Sequence, residues 1–423
     1  MYKAEKSIVI VGGGAAGLFA AVCLKERLPL ARVCVVEAGG RALSKLRLTG
    51  GGRCNLTHTF EAVEALGEVY PRGERLLRKL FYRFGPQDTW RWFEERGLRL
   101  YAQSDGRVFP RSDRADEVAD LLLLLASERG VELCEGTRVE RIERSDAGWQ
   151  ACLAGGRRVE ADAVLVATGG SPRREALERL LEGLPLELVA PVPSLFAFNV
   201  ADGGLRALSG TTLADARLRL AGTKCQARGA LLLTHFGLSG PAVLRLSSYA
   251  ARHLAEAAYR APLLVSWLPD EAPESLAPRL RALLDREGAK QLSSVRPEGL
   301  NTRLWLHLLE RSGLDARGKC AEVSRKQLNG LVTTLTQDEY LITGRAPHKD
   351  EFVTCGGVSL KSLQAQTLEV RSCPGLYVAG EALDVDAVTG GFNLQAAWTT
   401  AYVCAESIIE RFNQPSTSIT PTP

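Results

Sequence analysis

The sequence predicts an α/β fold whose main part is a Rossmann-like domain. Ser7–Val11 is a short apolar run, rich in β-branched residues, of the kind that forms a buried parallel strand. A glycine-rich turn and a helical pattern follow it at once, and Arg32–Val36 is a second such run. Near the C-terminus, Leu376–Ala379 is another buried run, and a glycine-rich loop at Thr389–Asn393 and a helical pattern from about Leu394 to Phe412 follow it. These features predict strands and helices that alternate around a parallel sheet.

The composition is that of an ordinary globular protein. The chain has 423 residues, of which 45% are hydrophobic and 24% are charged, so about two to three domains can each bury a core. Its 53 basic and 49 acidic side chains give a net charge of +4, which excludes overall charge as the basis for nucleic-acid binding. No apolar run reaches the roughly 18 residues of a membrane span, and the ten cysteines show no metal-binding spacing. We therefore expect a cytoplasmic protein with free thiols and no metal site.

The first 190 residues are predicted to alternate between strands and helices. The strand at Ser7–Val11, a helix as far as Leu28 and the strand at Arg32–Val36 form a βαβ unit of about 30 residues, which requires a right-handed crossover. Ala163–Ala167 is a further buried strand, and it ends at Thr168–Gly170, where the backbone can approach a ligand. The other predicted elements are helices at Thr89–Glu95 and Arg114–Arg129, strands at Val131–Leu133 and Arg138–Ile142, and a hairpin of Trp149–Leu153 with Arg158–Glu160.

The middle of the chain has a different character. Alternating apolar runs separated by glycine turns predict a β-rich insert of residues 191–268 plus 335–345. Helical patterns predict a small helical insert of residues 269–334, with eleven basic against six acidic residues between Ser275 and Gly330. Residues 1–190 and 345–412 would then form the main domain. Residues 413–423, rich in Ser, Thr and Pro, would form a flexible tail.

The turn after the first strand carries the pattern GxGxxG, which alone is a weak signal. Here a strand precedes it, a helix follows it, and Glu37 lies 20 residues beyond Gly17 at the end of the second strand. Gly12 would permit the tight turn, Gly14 would let the backbone approach a pyrophosphate, and Gly17 would let the helix pack closely on the strand. Glu37 would accept hydrogen bonds from ribose hydroxyls. The spacing predicts a dinucleotide site, and a glycine turn that serves packing alone is the alternative.

Three further glycine-rich loops indicate which dinucleotide is bound. They are Gly50–Asn55 (GGGRCN), Thr168–Gly170 (TGG) and Gly390–Asn393 (GGFN). A nicotinamide domain needs one phosphate loop, whereas a bound flavin must also be held along its ribityl chain and ring system. We therefore predict FAD. The sequence contains no second unit of strand, glycine loop, helix and acidic residue, so NAD(P)H would have to bind transiently over the flavin ring.

Several longer motifs resemble those of the HI0933-like family of NAD(P)/FAD-dependent oxidoreductases. They are TGGGRCNLT at 49–57, GRVFPR at 106–111, THFGLSGPAVL at 234–244, GGV at 356–358 and PGLYVAGEALDVDAVTGGFNLQAAW at 374–398. The resemblance runs from the first strand to the last helix. It implies a GR2-type flavoprotein, in which a Rossmann-like FAD-binding domain is built from both ends of the chain and carries an inserted β-barrel-like domain and a small helical insert.

The resemblance also implies which residues hold FAD. They form an adenosine diphosphate end, the GGGRCN loop, a main-chain contact to adenine, a contact to the pyrophosphate and ribityl chain, and a helix N-terminus at flavin N1 and O2. The adenosine diphosphate end comprises Gly12, Gly14, Ala15, Ala16, Gly17 and Glu37, and the GGGRCN loop contributes Gly52, Arg53, Cys54 and Asn55. The adenine contact is Val139, and the contact to the pyrophosphate and ribityl chain comes from Gly380 and Glu381. The helix N-terminus is formed by Gly391, Phe392 and Asn393. Thr168 and Gly169, from the turn after the strand at Ala163–Ala167, complete the set. Within it, Arg53 would meet a phosphate or the electron-rich edge of the flavin.

The sequence departs from the family after Gly170. Related chains continue there with a further glycine-rich stretch, whereas this chain runs through Ser171–Glu175 (SPRRE) into a helix. A substrate or nicotinamide contact in that segment is therefore not carried over.

Two side chains are candidates for chemistry, and each has a structural alternative. Cys54 lies in the loop expected nearest the cofactor, and it is either a redox-active thiol or a small residue packed beside the flavin. His235 precedes a glycine-containing turn at Gly237–Gly240, and it either donates a proton to a substrate or caps the turn. Asp384 and Asp386 are separated by one residue, and we expect one of them to stabilise its loop.

Three hypotheses for function follow. The first is an FAD-dependent reductase that transfers hydride from the reduced flavin to an activated alkene or ketone of a small molecule, with NAD(P)H as electron donor. The second is a flavoprotein that binds or modifies RNA through the basic helical insert, but Trp305 is the only aromatic residue between Ser275 and Gly330, which argues against nucleic acid there. The third is a sensory flavoprotein. No membrane partner is expected, and the oligomeric state stays open.

Overall fold

The computed structural model describes residues 6–146, 148–170, 174–346 and 353–414. The predicted features at residues 171–173 and in the tail at residues 415–423 lie outside this part of the chain. The described residues divide into two compact units, a first unit from those within 6–192 and 353–414 and a second unit from residues 193–346. No described helix is both long and apolar enough to cross a membrane.

The strands are numbered in chain order. They are β1 (Ser7–Val11), β2 (Arg32–Val36), β3 (Thr57–His58), β4 (Leu100–Ala102), β5 (Arg107–Pro110), β6 (Glu132–Cys134), β7 (Val139–Ser145), β8 (Gly148–Leu153), β9 (Arg158–Ala161), β10 (Ala163–Val166), β11 (Leu188–Pro193), β12 (Phe198–Val200), β13 (Thr212–Leu220), β14 (Gln226–Thr234), β15 (Gly237–Ser239), β16 (Ala261–Ser266), β17 (Asp338–Arg345), β18 (Thr354–Val358) and β19 (Leu376–Val378).

The α-helices are numbered in the same way. They are α1 (Ala15–Arg27), α2 (Ser44–Leu48), α3 (Leu66–Val69), α4 (Glu74–Leu80), α5 (Pro86–Glu94), α6 (Ala115–Glu128), α7 (Arg174–Leu180), α8 (Gly203–Ala207), α9 (Pro241–Tyr249), α10 (Ala251–Glu256), α11 (Pro273–Arg286), α12 (Thr302–Arg311), α13 (Arg325–Gln337) and α14 (Phe392–Asn413).

A five-stranded parallel sheet lies at the centre of the first unit. Its strand order is β19-β10-β1-β2-β6, and Val9 of β1 pairs with Val164 on one side and Cys34 on the other. The central strands are buried, which is why their sequences are continuous apolar runs instead of alternating ones. Strands β1 and β2 have the predicted bounds, and the Rossmann-like βαβ unit is confirmed.

The first and last helices of the sheet domain pack against each other, because α1 lies beside α14. The ring of Phe19 on α1 lies 5.3 Å from that of Trp398 on α14 and 4.5 Å from that of Trp92 on α5. All three side chains are buried. The two ends of the chain therefore contribute to one core, as the family resemblance implied.

The first unit also contains smaller sheets. Strands β7, β8 and β9 form an antiparallel sheet, and the hairpin predicted around Gly155 joins β8 to β9. Strands β3, β5 and β4 form a second antiparallel sheet, in which Tyr101 of β4 pairs with Phe109 of β5. Strand β11 pairs with β18.

The second unit is a closed six-stranded barrel that is joined to helices. Its strand order is β12-β15-β14-β13-β16-β17, which confirms the predicted inserted β-barrel-like domain. Leu280 of α11, Leu308 of α12 and Leu331 of α13 belong to the same buried cluster as Leu218 and Leu263 of the barrel. The predicted boundary between a β-rich and a helical insert stays a prediction, because these strands and helices share one core.

A buried ion pair joins the segment before α4 to the loop before α14. The Arg72 guanidinium donates to both carboxylate oxygens of Asp386, and the two side chains are 11% and 0% exposed. The expectation that Asp384 or Asp386 stabilises its loop is therefore confirmed for Asp386.

We expect Asp386→Asn to lower the free energy of unfolding by about 3 kcal/mol, because the largely buried guanidinium then loses the negative charge of Asp386. Chemical denaturation measures this change. The matched control is Arg78→Ala, which removes the more exposed ion pair with Glu74 on α4 and should cost less than about 1 kcal/mol. Equal losses in the two variants would contradict a structural role for the buried pair.

Candidate cofactor site

The loop between β1 and α1 needs glycine at two of its positions. Gly12 has a φ of +109°, and a Cβ atom there would lie closer than 3.0 Å to the carbonyl oxygen of Ala167 in the turn after β10. A Cβ atom at Gly17 would lie closer than 3.0 Å to the carbonyl oxygen of Gly12. Strand β1, helix α1 and the turn after β10 therefore approach one another at main-chain distance, which is the geometry that the GxGxxG pattern predicts.

Gly14 has a different environment from its two neighbours in the motif. It is the N-cap of α1 with an extended backbone, at φ −81° and ψ −169°, and a Cβ atom there would find nothing within 4 Å. No side chain caps α1, and its first turn contains no acidic residue. The positive end of the helix and its free N–H groups can therefore face an anion such as a pyrophosphate.

Main-chain donors orient the carboxylate of Glu37 at the end of β2. Its Oε2 accepts the N–H of Gly13 at 2.7 Å, and its Oε1 accepts the N–H of Gly39 at 2.7 Å. A carboxylate oxygen can accept more than one hydrogen bond. Each oxygen can therefore accept a ribose hydroxyl as well.

A cavity of about 810 Å³ opens beside these groups in the first unit. Cavities of roughly 300–1,000 Å³ are typical of small-molecule and cofactor sites. Six of the predicted cofactor residues line it, namely Gly12, Glu37, Val139, Thr168, Gly169 and Glu381. These residues come from five separate parts of the chain, and the fold brings them to one edge of the sheet. The residues fit a dinucleotide that lies from the glycine loop across the ends of the strands.

Two donors hold the Glu381 carboxylate at the cavity. Lys45 on α2 donates from Nζ to Oε2 at 2.6 Å, and the N–H of Thr354 donates to Oε1 at 2.7 Å. A Cβ atom at Gly170 would lie closer than 3.0 Å to the same carboxylate. The sequence identified Glu381 but not Lys45, because no motif connects an isolated lysine to a residue 336 positions away.

Helix α7 also lies along the cavity, and sequence reasoning did not identify it as part of the site. Glu175 and Arg179 of α7 are among the lining residues, as are Arg138 and Arg141 near the start of β7. This helix follows the segment in which the chain departs from its family.

The start of α14 is connected to the GGGRCN loop. Gly391, the N-cap of α14, has a φ of +86°, and a Cβ atom there would lie closer than 3.0 Å to the carbonyl oxygen of Thr57. When the Asn55 amide is oriented to satisfy both its groups, its nitrogen donates to the Thr57 carbonyl and its oxygen accepts the Gly391 N–H, each at 3.0 Å. Two predicted cofactor loops that are far apart in sequence are therefore in direct contact.

The side chains of Phe392 and Asn393 are directed into the protein. The Phe392 ring is buried and stacks on His58 with 4.6 Å between ring centroids. The Asn393 amide accepts the N–H of Ala387 and donates to its carbonyl oxygen, each at 2.9 Å. At the start of α14, it is therefore the main chain that can stabilise the negative charge expected at flavin N1 and O2. Gly380 lies against α1, since a Cβ atom on it would be 3.0 Å from the Cβ of Ala16.

Arg53 has partners that the sequence did not predict. Its guanidinium donates to Asp113 at 2.7 Å and to the Tyr101 hydroxyl at 2.8 Å, and it stacks over the Phe109 ring at 4.2 Å. Hydrogen bonding to Arg53 lowers the pKa of Asp113. Arg53 would therefore have to contact the cofactor while still paired with Asp113, or lose that ion pair in order to do so.

The two candidates for chemistry have contrasting environments. Cys54 is fully buried with a φ of +60°, and burial raises the pKa of its thiol to about 12. This favours the packed residue over the redox-active thiol. His235 is exposed in the turn between β14 and β15, where its ring lies 5.0 Å from that of Phe236. It stays a weak candidate for a proton donor. Among the described residues there is no cluster of three or more metal-binding side chains.

The sheet, the glycine loop, Glu37 and the cavity define a Rossmann-type dinucleotide-binding domain, and the family that the chain matches is one of flavin-dependent oxidoreductases. The sequence model of the HI0933-like protein Rossmann domain matches residues 6–407. The chain therefore belongs to the HI0933-like family.

Relatives of this chain include named enzymes. It is 29% identical over 420 residues to a 3-dehydro-bile acid delta(4,6)-reductase of Clostridium scindens, covering 96% of this chain and 99% of the relative. It is also 29% identical over 417 residues to a ribosomal RNA dihydrouridine synthase of Escherichia coli, covering 95% and 97%. A solved 3-ketosteroid delta1-dehydrogenase of Sterolibacterium denitrificans has the same fold, with a TM-score of 0.51, 12% identity, and 96% of this chain and 100% of that chain covered.

We expect Gly14→Ala to fold normally but to bind FAD at least about tenfold more weakly, a loss of about 1.4 kcal/mol. The added methyl has room in the protein and would occupy the space of the pyrophosphate. The comparison variant is Gly17→Ala, in which the methyl meets the backbone and should lower the free energy of unfolding by about 2 kcal/mol. Thermal unfolding and FAD titration of both apoproteins separate the two effects. Normal FAD binding by Gly14→Ala would contradict the proposed place of the pyrophosphate.

Cys54 should resist alkylation in the folded protein. At about pH 8 a thiol with its pKa raised to about 12 is almost wholly protonated, and burial also blocks the reagent. Mass spectrometry after brief iodoacetamide treatment should find Cys134, which is partly exposed, modified before Cys54. Faster modification of Cys54 would favour the redox-active alternative.

Proposed function

We propose that this protein reduces a carbon–carbon double bond that is conjugated with a carbonyl group, with NAD(P)H as the source of electrons. The proposal is carried by the glycine loop and cavity, which are suited to FAD. They occur in a chain that matches two named enzymes over 95% or more of its length. The names of both relatives describe this chemistry. A 3-dehydro-bile acid delta(4,6)-reductase acts on double bonds conjugated with a 3-oxo group, and a dihydrouridine synthase saturates the uracil double bond that is conjugated with a ring carbonyl.

The chain's residues would divide the work of holding the cofactor. The N-terminus of α1 at Gly14 would bind the pyrophosphate, Glu37 the ribose, and Glu381, oriented by Lys45, the ribityl hydroxyls. The main chain at the start of α14 would stabilise the negative charge of the reduced ring. Bound FAD, once reduced, supplies a hydride. The substrate takes this hydride at one carbon of the double bond and a proton at the other, and one NAD(P)H is oxidised for each bond reduced.

The nicotinamide donor has no dedicated domain in this proposal. The described strands contain one unit in which a strand, a glycine loop, a helix and an acidic residue follow one another, and FAD would occupy it. NAD(P)H would therefore bind briefly, reduce the flavin and leave before the substrate enters. The proton donor is not assigned, and His235 remains a weak candidate for it.

RNA is the second candidate substrate, because two relatives are named ribosomal RNA dihydrouridine synthase. The helical segment whose basic residues suggested RNA binding in the sequence is a poor surface for RNA. Arg279, Arg281, Lys290 and Arg311 form ion pairs with carboxylates, and Trp305 is only 1% exposed. These four of the eleven cations are therefore compensated, and the segment offers no aromatic face for stacking.

The FAD-loaded protein should lose its absorbance on the order of 450 nm when NADH or NADPH is added without oxygen. The colour should return without oxygen when a substrate of the right class is added, either a 3-oxo steroid with a conjugated double bond or a uridine-containing RNA. An isolated alkene with no carbonyl group is the control and should leave the flavin reduced. If neither nucleotide bleaches the flavin, the donor is wrong; if no conjugated substrate reoxidises it, the reaction is wrong.

A further inference from the structure

Residues 69–73, which connect α3 to α4, are joined to the loop that leads into α14. The N–H of Val388 donates to the carbonyl oxygen of Val69 at 2.9 Å, and Arg72 forms the buried ion pair with Asp386. Both contacts connect parts of the chain that are far apart in sequence. The segment 69–73 therefore fixes the path of the main chain just before α14.

Tyr70, within this segment, extends the connection to the first residue of α14. Its hydroxyl donates to the carbonyl oxygen of Phe392 at 2.8 Å. The side chain is fully buried, and burial raises the pKa of the hydroxyl well above its usual value. The hydroxyl therefore keeps its proton and stays the donor in this bond.

The carbonyl that accepts this bond belongs to the peptide group whose N–H is that of Asn393. A hydrogen bond to a carbonyl oxygen polarises its peptide group, so the N–H of the same group becomes a stronger donor. Asn393 lies in the first turn of α14, where N–H groups have no partner within the helix. No side chain caps α14, and its first turn contains no acidic residue. Tyr70 thus strengthens the positive end of α14, where the charge of the reduced flavin is expected.

Packing explains the ring of Tyr70 but not its hydroxyl. The ring centroid lies 6.0 Å from that of Phe392, 6.0 Å from that of Phe81 and 6.4 Å from that of Phe60. A phenylalanine at position 70 could make the same three ring contacts. Burying a hydroxyl among aromatic rings costs free energy that its hydrogen bond only offsets. The hydroxyl is therefore the part of Tyr70 for which a role beyond packing is needed.

We propose that Tyr70 is a positioning residue that raises the reduction potential of the bound flavin. It holds and polarises the peptide group between Phe392 and Asn393, so that the N–H of Asn393 stabilises the negative charge that reduction places on flavin N1 and O2. The inference rests on the proposed function, because it takes the start of α14 as the place of that charge. It deepens that function, since a higher potential makes reduction of the flavin by NAD(P)H more favourable.

The test is the midpoint potential of the full-length, FAD-loaded protein, measured by equilibration with a reference dye of known potential. Tyr70→Phe keeps the ring and loses only the hydroxyl. The equilibrium constant for reduction should fall about fivefold, the effect of one hydrogen bond. This lowers the potential by about 20 mV, because a tenfold change corresponds to about 30 mV for two electrons.

The matched control is Tyr377→Phe on β19. It also removes the hydroxyl of a buried tyrosine, one that is hydrogen-bonded to Glu369. The two variants should therefore lose similar amounts of stability in thermal unfolding and should both bind FAD. Tyr377→Phe should leave the flavin potential unchanged, because its hydroxyl does not contact the first turn of α14.

A second variant at the same position tests the opposite direction. In Tyr70→3-fluorotyrosine, made at this position alone, the fluorine makes the phenol more acidic and the hydroxyl a stronger donor. The flavin potential should therefore rise above that of the parent, whereas a tyrosine that serves packing alone would leave it unchanged. Because the ring and the hydroxyl are both kept, this variant gives an answer even where Tyr70→Phe folds poorly.

Three results would overturn the proposal. They are an unchanged potential in both variants of Tyr70, an equal shift in Tyr377→Phe, and a parent that binds no FAD, which would overturn the proposed function as well. The potential is measured without NAD(P)H and without a substrate. If it shifts as expected but no conjugated substrate reoxidises the flavin, the proposed function fails while the role of Tyr70 stands. If a conjugated substrate is reduced and the potential does not shift, the role of Tyr70 alone fails.

Discussion

The close approach of main chain at the end of β1 is the constraint on which the site depends. A side chain at Gly12 or Gly17 would overlap a backbone oxygen, so β1, α1 and the turn after β10 can meet only at glycine. This contact places the N-terminus of α1 beside Glu37 at the end of β2 and beside Thr168. A larger residue would push α1 away from the sheet and separate the groups that a dinucleotide must contact together.

The other half of the site depends on buried polar contacts between distant parts of the chain. Thr57 donates to Gln395 at 2.5 Å, the Trp398 indole donates to the Leu56 carbonyl at 2.9 Å, and both bonds join residues more than 300 positions apart. Because these groups are buried, losing either partner would leave a polar atom that water cannot reach. The start of α14 is therefore held at a defined distance from the GGGRCN loop before any cofactor binds.

Charge is used in two different ways within the first unit. Glu37 and Glu381 are held by main-chain N–H groups at the cavity, so their lone pairs are already oriented toward a ligand and little rearrangement is needed on binding. On the β4–β5 hairpin the reverse holds, since Arg99 and Arg111 face each other in solvent. A fixed carboxylate suits a small ligand with defined hydroxyls, whereas two exposed arginines opposite each other repel and make no such defined contact.

Local patterns were sufficient to predict the Rossmann-like unit, its glycine loop, Glu37 and a β-rich insert. Periodicity and glycine spacing are properties of neighbouring residues, and β1 and β2 were predicted with their observed bounds. The family motifs pointed to the barrel form of that insert and to Glu381, and they gave the locally predicted start of α14 its role at the flavin.

Side-chain direction could not be predicted, because it depends on partners far away in sequence. Arg53 is directed to Asp113 across 60 positions, and Phe392 stacks on His58 although their strand and helix lie at opposite ends of the first unit's sequence. Helix α7 lines the cavity and Lys45 orients Glu381 there only because the chain folds around it, and no motif marks either of them. The composition and local order of the chain thus determine the class of fold and the cofactor loops. Only tertiary packing decides which side chains face the cavity, because the direction of each side chain depends on a contact with a residue far away in sequence.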